Sequence, residues 1–258
     1  MAYPTKSAIT FDLWRTLIFE DGNQEISERR RKLRAEYAVD YLATVGESVE
    51  KSSFYEVFNS LSEDITAGHD DGLDKHFGEW VHTGLSRIDP ELPDRIGMEG
   101  VIEVGNAIDR AFIDFPPKLV EGSIDTLEAV KQRGLGVGLV TNTGLTSGTT
   151  LRHWLELIGV SGYFHHIAYS NELGVAKPER LIFDVTLRTL DSIPERALHV
   201  GDNLHTDVAG AAAIGMSTVW VSDGEKPKQT MTTKPDFTIE TVLEMPPVID
   251  EWLGTLDV

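Results

Sequence analysis

Hydrophobic positions follow two different rhythms along this chain. Near the start, a short, mostly apolar run from Ala8 to Phe11 stops abruptly at Asp12. Such a run, closed by a carboxylate, predicts a buried parallel strand that delivers an acid to the carboxyl edge of a sheet, where ligands of open α/β sheets bind. Taken alone, an Asp in that place reads more readily as a cap for the segment that follows.

From there to Phe115 the period is helical. The spacing predicts helices over 24–45, 50–67, 73–88 and 95–113. Leu33, Tyr37, Tyr41 and Leu42 form the apolar stripe of the first, Val57, Phe58, Leu61 and Ile65 that of the second, and Phe77, Trp80, Val81 and Leu85 that of the third. The first also carries Arg29, Arg30, Arg31, Lys32 and Arg34. That run reads either as a solvated face paired with Glu28 and Glu36, or as a source of one arginine for a substrate. Pro116 and Pro117 then mark a boundary, because a proline pair cannot continue a helix.

Beyond the prolines, short apolar runs and helical stretches alternate. Strands are expected at 135–140, 166–169, 197–201, 217–221 and 237–239. Helices are expected at 122–133, 147–158, 178–190, 206–214 and 248–253, with a loop over 222–235. This alternation implies an α/β fold, a doubly wound and mainly parallel sheet with helices on both faces. The expected organisation is a core of residues 1–19 and 116–258, with residues 20–115 inserted as a helical bundle.

Composition narrows the chemistry. With 42 acidic against 23 basic side chains, the net charge of −19 disfavours nucleic acid and anionic membranes as partners. A small anionic substrate stays admissible, since a few local cations can dominate a pocket. No apolar run approaches the ~20 residues that span a bilayer, and residues 1–7 lack the order of a signal peptide. A cytoplasmic protein is the expectation. With no cysteine, disulfides, thiolate metal sites and a Cys nucleophile are all ruled out.

Three later stretches give Asp12 its company. Thr141 and Asn142 end a second apolar run just before a helix, where a hydroxyl and backbone N–H groups suit phosphoryl oxygens. Lys177 stands in GVAKPER, and Asp202 follows the apolar run ALHVG, with Asn203 and Asp207 close behind. Hard cations such as Mg²⁺ take oxygen ligands, commonly one or two carboxylates with water and substrate oxygens. Asp12 and Asp202, met at neighbouring strand ends, supply such a pair.

FDLWRTL, LGVGLVTNTG, GVAKPER and ALHVGDNLHTDVAGAAAIGM resemble, in order and spacing, the four motifs of the haloacid dehalogenase-like (HAD) hydrolase superfamily. The resemblance implies a Rossmann-like core with a helical cap of the C1 type closing over the site. It implies a nucleophilic Asp12, a phosphate-binding Thr141 with Asn142 beside it, a cationic Lys177 and a metal-binding Asp202. The Trp14 carbonyl would complete the Mg²⁺ ligands, and Asn203 and Asp207 would support them from behind.

The chain departs from that pattern at two positions. Most phosphatases of the family carry a second Asp where this chain has Trp14, and glycine is usual where it has Arg15. That Asp acts as general acid and base, worth roughly 10² to 10⁴ in rate, which an indole cannot supply. Three readings follow: a Mg²⁺-dependent phosphatase acting on a small phosphorylated metabolite or an activated aryl or acyl phosphate, limited to leaving groups that need little protonation or helped by an acid from the cap; a 2-haloacid dehalogenase whose halide needs no proton; or a weakly active or inactive binding module. Arg15 either occludes the site or offers a fork to a carboxylate or phosphate, so Trp14 and Arg15 join the candidate substrate-binding residues.

Overall fold

In a computed structural model of the chain, residues 6–19, 24–224 and 233–256 are described, with the side chain of Gln24 excepted. The part of the expected 222–235 loop at 225–232 lies outside the described residues.

The first strand, β1 (Ala8–Phe11), is buried at every position. A two-residue strand, β2 (Ile18–Phe19), leads into four helices: α1 (Gln24–Thr44), α2 (Lys51–Asp70), α3 (Phe77–Ile88) and α4 (Leu92–Asp114). The chain returns through β3 (Lys118–Leu119), which pairs antiparallel with β2, so the two crossings between bundle and core form one ribbon. The alternating part then runs α5 (Ser123–Gln132), β4 (Gly136–Thr141), α6 (Gly148–Leu157), β5 (His166–Tyr169), α7 (Ser170–Leu173), α8 (Arg180–Thr189) and β6 (Ala197–Gly201). After a π-helical segment at Leu204–Ala209 come α9 (Gly210–Ala213), β7 (Ser217–Val221), β8 (Phe237–Ile239) and α10 (Met245–Leu256).

The main sheet has the order β5-β4-β1-β6-β7-β8 and every pairing in it is parallel. From β1 the chain steps outward through β4 to β5, then crosses to the far side of β1 and continues through β6, β7 and β8. Phe11 is level with both Leu139 and Val200. The residues that follow β1, β4 and β6 therefore emerge side by side at the carboxyl edge, where the winding reverses.

Burial separates three hydrophobic cores. Phe11, Leu139, Trp154, Val200 and Trp252 belong to the cluster beneath α5, α6 and α10. Val140, Phe183, Ala211 and Met216 pack on the opposite face against α8 and α9. The bundle has its own cluster around Phe54, Phe58, Leu85, Val104 and Ile108, with the rings of Phe54 and Phe58 stacked 4.1 Å apart.

Three expectations are corrected. On α1 the buried face is Arg30, Ala35, Ala38 and Leu42, while Leu33, Tyr37 and Tyr41 are half-buried. The long fourth helix starts earlier, at Leu92 with Pro93 in its first turn, where the missing N–H of proline costs nothing. It is broken at Gly97, whose φ of 67° and ψ of 178° are not helical. The helix expected over 206–214 opens as a π-helix, and only Gly210–Ala213 is α-helical.

Candidate active site

Each approaching strand places one chemical group at the carboxyl edge. Asp12 follows β1 directly; its N–H donates to Val200 O at 2.8 Å, which ties it to β6. Asp202 follows β6, and the Trp220 indole N–H from β7 donates to its carbonyl oxygen at 2.8 Å. Lys177 comes from the loop between α7 and α8 and is 1% exposed.

The Lys177 ammonium holds two carboxylates at once. It donates to Asp12 Oδ1 at 2.5 Å and to Asp207 Oδ1 at 2.6 Å. Asp207 also contacts His199 Nε2 at 3.1 Å, and the other ring nitrogen of His199 lies 2.8 Å from Thr10 Oγ1. The Asn203 N–H donates to Asp207 Oδ2 at 2.9 Å. Gly201 makes this approach possible, because a Cβ there would overlap the Asp207 carboxylate. Asn203 itself caps the π-helical segment, its Oδ1 accepting from the N–H groups of His205 and Thr206.

Oxygens of Asp12, Asp202 and Asp207 lie within 4.8 Å of one another. Packing three carboxylates into a buried corner is electrostatically costly, and their proton affinities show it. Burial pushes Asp12 up to about 6, against the pull of Lys177. Burial and the charges of Asp12 and Asp207 push Asp202 up to about 7. Asp207 goes the other way: burial opposes its ionisation, but Lys177 and His199 hold it well below the usual carboxylate range. The all-oxygen donor set and the two frustrated carboxylates fit a hard divalent cation, which would stabilise both ionised forms.

Thr141 is fully buried at the end of β4. The side-chain amide of Asn142, a candidate substrate-binding residue, faces the main chain of Lys177, accepting from its N–H at 2.8 Å and donating to its carbonyl at 3.0 Å. Its polar atoms are thus engaged in positioning the lysine loop. The indole of Trp14 packs edge-on against Phe112 of α4, with ring centroids 6.3 Å apart. Arg15 has a φ of 58°, a left-handed conformation that costs an L-residue roughly 1–2 kcal/mol, and its Nη1 lies 3.4 Å from Asp202 Oδ2.

Besides the Trp14–Phe112 contact, the bundle touches this edge on two sides among the described residues. On one side Arg34 donates to Thr146 Oγ1 at 3.1 Å, and Asp109 accepts from the Ser147 N–H and hydroxyl at 2.9 and 2.6 Å. On the other, the turn after α2 docks on the lysine loop: Ala176 N–H donates to Gly72 O at 2.9 Å, and His205 Nε2 lies 2.8 Å from Asp70 O. Part of the basic run of α1 forms the ion pairs expected of a solvated face, and one of its arginines is buried against the main chain. Arg31 and Lys32 pair with Glu28, while Arg30 is buried and donates to Phe115 O at 2.9 Å. Arg30, Arg31 and Arg34 line a cavity of about 170 Å³ with Trp14, Gly144 and Thr146.

A family model described as haloacid dehalogenase-like hydrolase matches residues 6–215, a span that includes Asp12, Thr141, Lys177, Asp202 and Asp207. The chain is a haloacid dehalogenase-like hydrolase. Among curated relatives of this hydrolase is a glyceraldehyde 3-phosphate phosphatase of Methanocaldococcus jannaschii, 27% identical over 93% of this chain and 96% of that one. A ribulose-1,5-bisphosphate 5-phosphatase of Halopiger xanaduensis is 30% identical over 64% of this chain and 66% of its own. Among solved structures, a 2-haloacid dehalogenase of Pseudomonas syringae pv. Tomato superposes with a TM-score of 0.69, covering 96% of this chain and all of its own at 20% identity, a likeness of fold alone. Among the described residues, no helix of the hydrolase is long and apolar enough to cross a membrane.

Sequence reasoning passed over four residues around the site. Thr10 and His199 are polar positions inside otherwise apolar strands, AITF and ALHVG, and that interruption is the signal that marked them. Asp74 accepts from the Trp80 indole N–H at 2.6 Å, and Ser170 Oγ accepts from Thr143 N–H at 2.8 Å. Both sit in turn-rich stretches where such residues are ordinary.

Proposed function

We propose that this hydrolase is a Mg²⁺-dependent phosphatase that acts on a small, anionic phosphorylated metabolite. The observation that carries the reading is the double contact of Lys177 Nζ with Asp12 and Asp207 beside Asp202. A buried ammonium facing three carboxylates is suited to gathering an anionic phosphoryl group, which these acids alone would repel. The two curated relatives, both named for phosphatases of small sugar phosphates, support the substrate class.

In this reading Lys177 holds Oδ1 of Asp12, and the second carboxylate oxygen attacks phosphorus. A bond forms between that oxygen and phosphorus, the ester P–O bond breaks, and its electron pair leaves with the alcohol oxygen. Water then attacks the phosphorus of the aspartyl phosphate, releasing phosphate and restoring Asp12. Thr141 and the turn after β4 receive phosphoryl oxygens. Asp12, Asp202 and the Trp14 carbonyl would hold Mg²⁺, which would supply charge neutralisation when bound. The bundle of residues 20–115 acts as a cap on the core of residues 1–19 and 116–258, and the chain works in the cytoplasm.

Trp14 sets the limit on substrates. With an indole where an acid would protonate the departing alcohol, leaving groups that need little protonation, such as aryl and acyl phosphates, should react fastest. The same indole favours the second reading, a 2-haloacid dehalogenase. The crowding of Asp202 and Asp207 beside Asp12 speaks against it, because displacement of halide has no phosphoryl charge for an ion to offset.

Hydrolysis of an aryl phosphate should therefore require Mg²⁺, stop on addition of a chelator, and vanish in Asp12→Asn. Chloride or bromide release from a 2-haloacid, indifferent to chelator, would move the assignment to the second reading.

A further inference from the structure

Arg15 occupies a position whose backbone asks for glycine. Its φ is 58°, and the conformation is fixed by the main chain: Arg15 N–H donates to Ile18 O at 2.6 Å, and Leu17 and Ile18 N–H both donate to Leu13 O at 2.9 Å. The turn needs no arginine side chain to form, so a strained arginine retained beside the nucleophile points to work done by the guanidinium.

The charges at the carboxyl edge show what that work is. Lys177, almost completely buried, serves Asp12 and Asp207. Asp202 is paired instead with Arg15, at 3.4 Å, and here the arginine side chain is 54% exposed while the carboxylate is 16% exposed. One cation is locked in the interior; the other reaches in from the mouth and can leave. A divalent ion on Asp202 would displace a guanidinium from the same carboxylate.

We propose that Arg15 is an exchangeable counter-cation of Asp202: it neutralises this carboxylate in the ion-free enzyme, yields it to the divalent ion, and then turns its fork to the anionic substrate at the mouth. The inference rests on the metal site of the proposed phosphatase and adds a coupling to it. The ion must break the Arg15–Asp202 pair, which weakens its binding alone. A phosphoryl anion that captures the released guanidinium returns part of that loss, so ion and anion bind cooperatively and each raises the affinity of the other by the same factor.

Calorimetric titration of Mg²⁺ into the full chain, with and without inorganic phosphate, tests this in wild type, Arg15→Gly and Arg15→Gln. Glycine suits the turn, and glutamine keeps much of the side-chain length without charge. Without phosphate, both variants should bind Mg²⁺ more tightly than wild type, roughly three- to tenfold for the loss of a partly exposed ion pair and a nearby positive charge. The strengthening of Mg²⁺ binding by phosphate, present in wild type, should shrink in both. Unchanged or weaker Mg²⁺ binding in the variants, or an undiminished phosphate effect, would overturn the role of Arg15 alone. No Mg²⁺ binding by any of the three proteins would overturn it together with the metal site.

Discussion

Asn142 grips the main chain of Lys177 from both sides of its amide, with Oδ1 accepting from Lys177 N–H at 2.8 Å and Nδ2 donating to Lys177 O at 3.0 Å. The turn after β4, proposed above to receive phosphoryl oxygens, thus sets the height of an ammonium that arrives 35 residues later. Asn142→Ala leaves two main-chain groups without these partners, at about 1–3 kcal/mol of stability. It should lower kcat by roughly 10²-fold, the scale of a small misplacement at a reacting centre. Steady-state kinetics alongside a urea melt checks both. A rate close to wild type would show that Lys177 holds its place without Asn142.

Lys177→Met removes the charge that two buried carboxylates share. Breaking a buried pair from one side costs about 3–5 kcal/mol, and the loss should show as a lower urea midpoint without divalent ions. Lys177→Met combined with Asp207→Asn removes one stranded carboxylate and should recover part of that loss. A double variant less stable than the single one would contradict the idea that Lys177 is chiefly a counter-charge for Asp207 in the resting fold.

Much of this arrangement was legible in the sequence because buried parallel strands announce themselves. The strands at 166–169, 197–201, 217–221 and 237–239 occur at their expected bounds, and β1 ends where Asp12 interrupts its apolar run. Other features left no such trace. Two residues, Ile18–Phe19, are too few to show a period, so the ribbon with Lys118–Leu119 was not expected. The π-helical start after Asn203 depends on hydrogen-bond register, which hydrophobic spacing does not record. The grip of the Asn142 side chain on Lys177 left no trace because its partner returns from a distant loop, and α1 looked different because two alanines, which carry little hydrophobic signal, are buried in the bundle core while Tyr41 packs against it only partly buried.

Acidity and Mg²⁺ should trade against each other. Asp12, raised to about 6, and Asp202, raised to about 7, both bind protons more tightly folded than unfolded, where such groups titrate near 3.8. Their contribution to stability is therefore fully present below about pH 4 and is lost as pH rises through 6 to 7. Asp207, depressed by its partners, has the opposite sign and contributes throughout that window. At the proposed metal site Mg²⁺ would bind the ionised carboxylates, so the rise in Tm it produces should be larger at pH 8 than at pH 5. An equal or smaller rise at pH 8 would contradict proton and ion competing for the same oxygens.

Docking of the bundle on the lysine loop passes through Gly72, which has a φ of 73° and lies so close to Glu179 that a Cβ would overlap its side chain. Gly72→Val should push the turn off Ala176 and lower kcat/KM, with a stability loss of about 1–3 kcal/mol from the strained φ. Kinetics with a small aryl phosphate, read together with a thermal melt, decides the matter. Unaltered kcat/KM would show that this contact is not needed to complete the site.

The most direct test of the account is to ask whether Asp12 becomes phosphorylated. Enzyme mixed with an aryl phosphate and Mg²⁺, quenched in acid within a single turnover, should carry a phosphoryl group on the peptide containing Asp12, and Asp12→Asn should carry none. Rapid turnover with no phosphoryl group on the protein, and with inversion of configuration at a chiral phosphorus where two successive displacements would retain it, would contradict attack by Asp12.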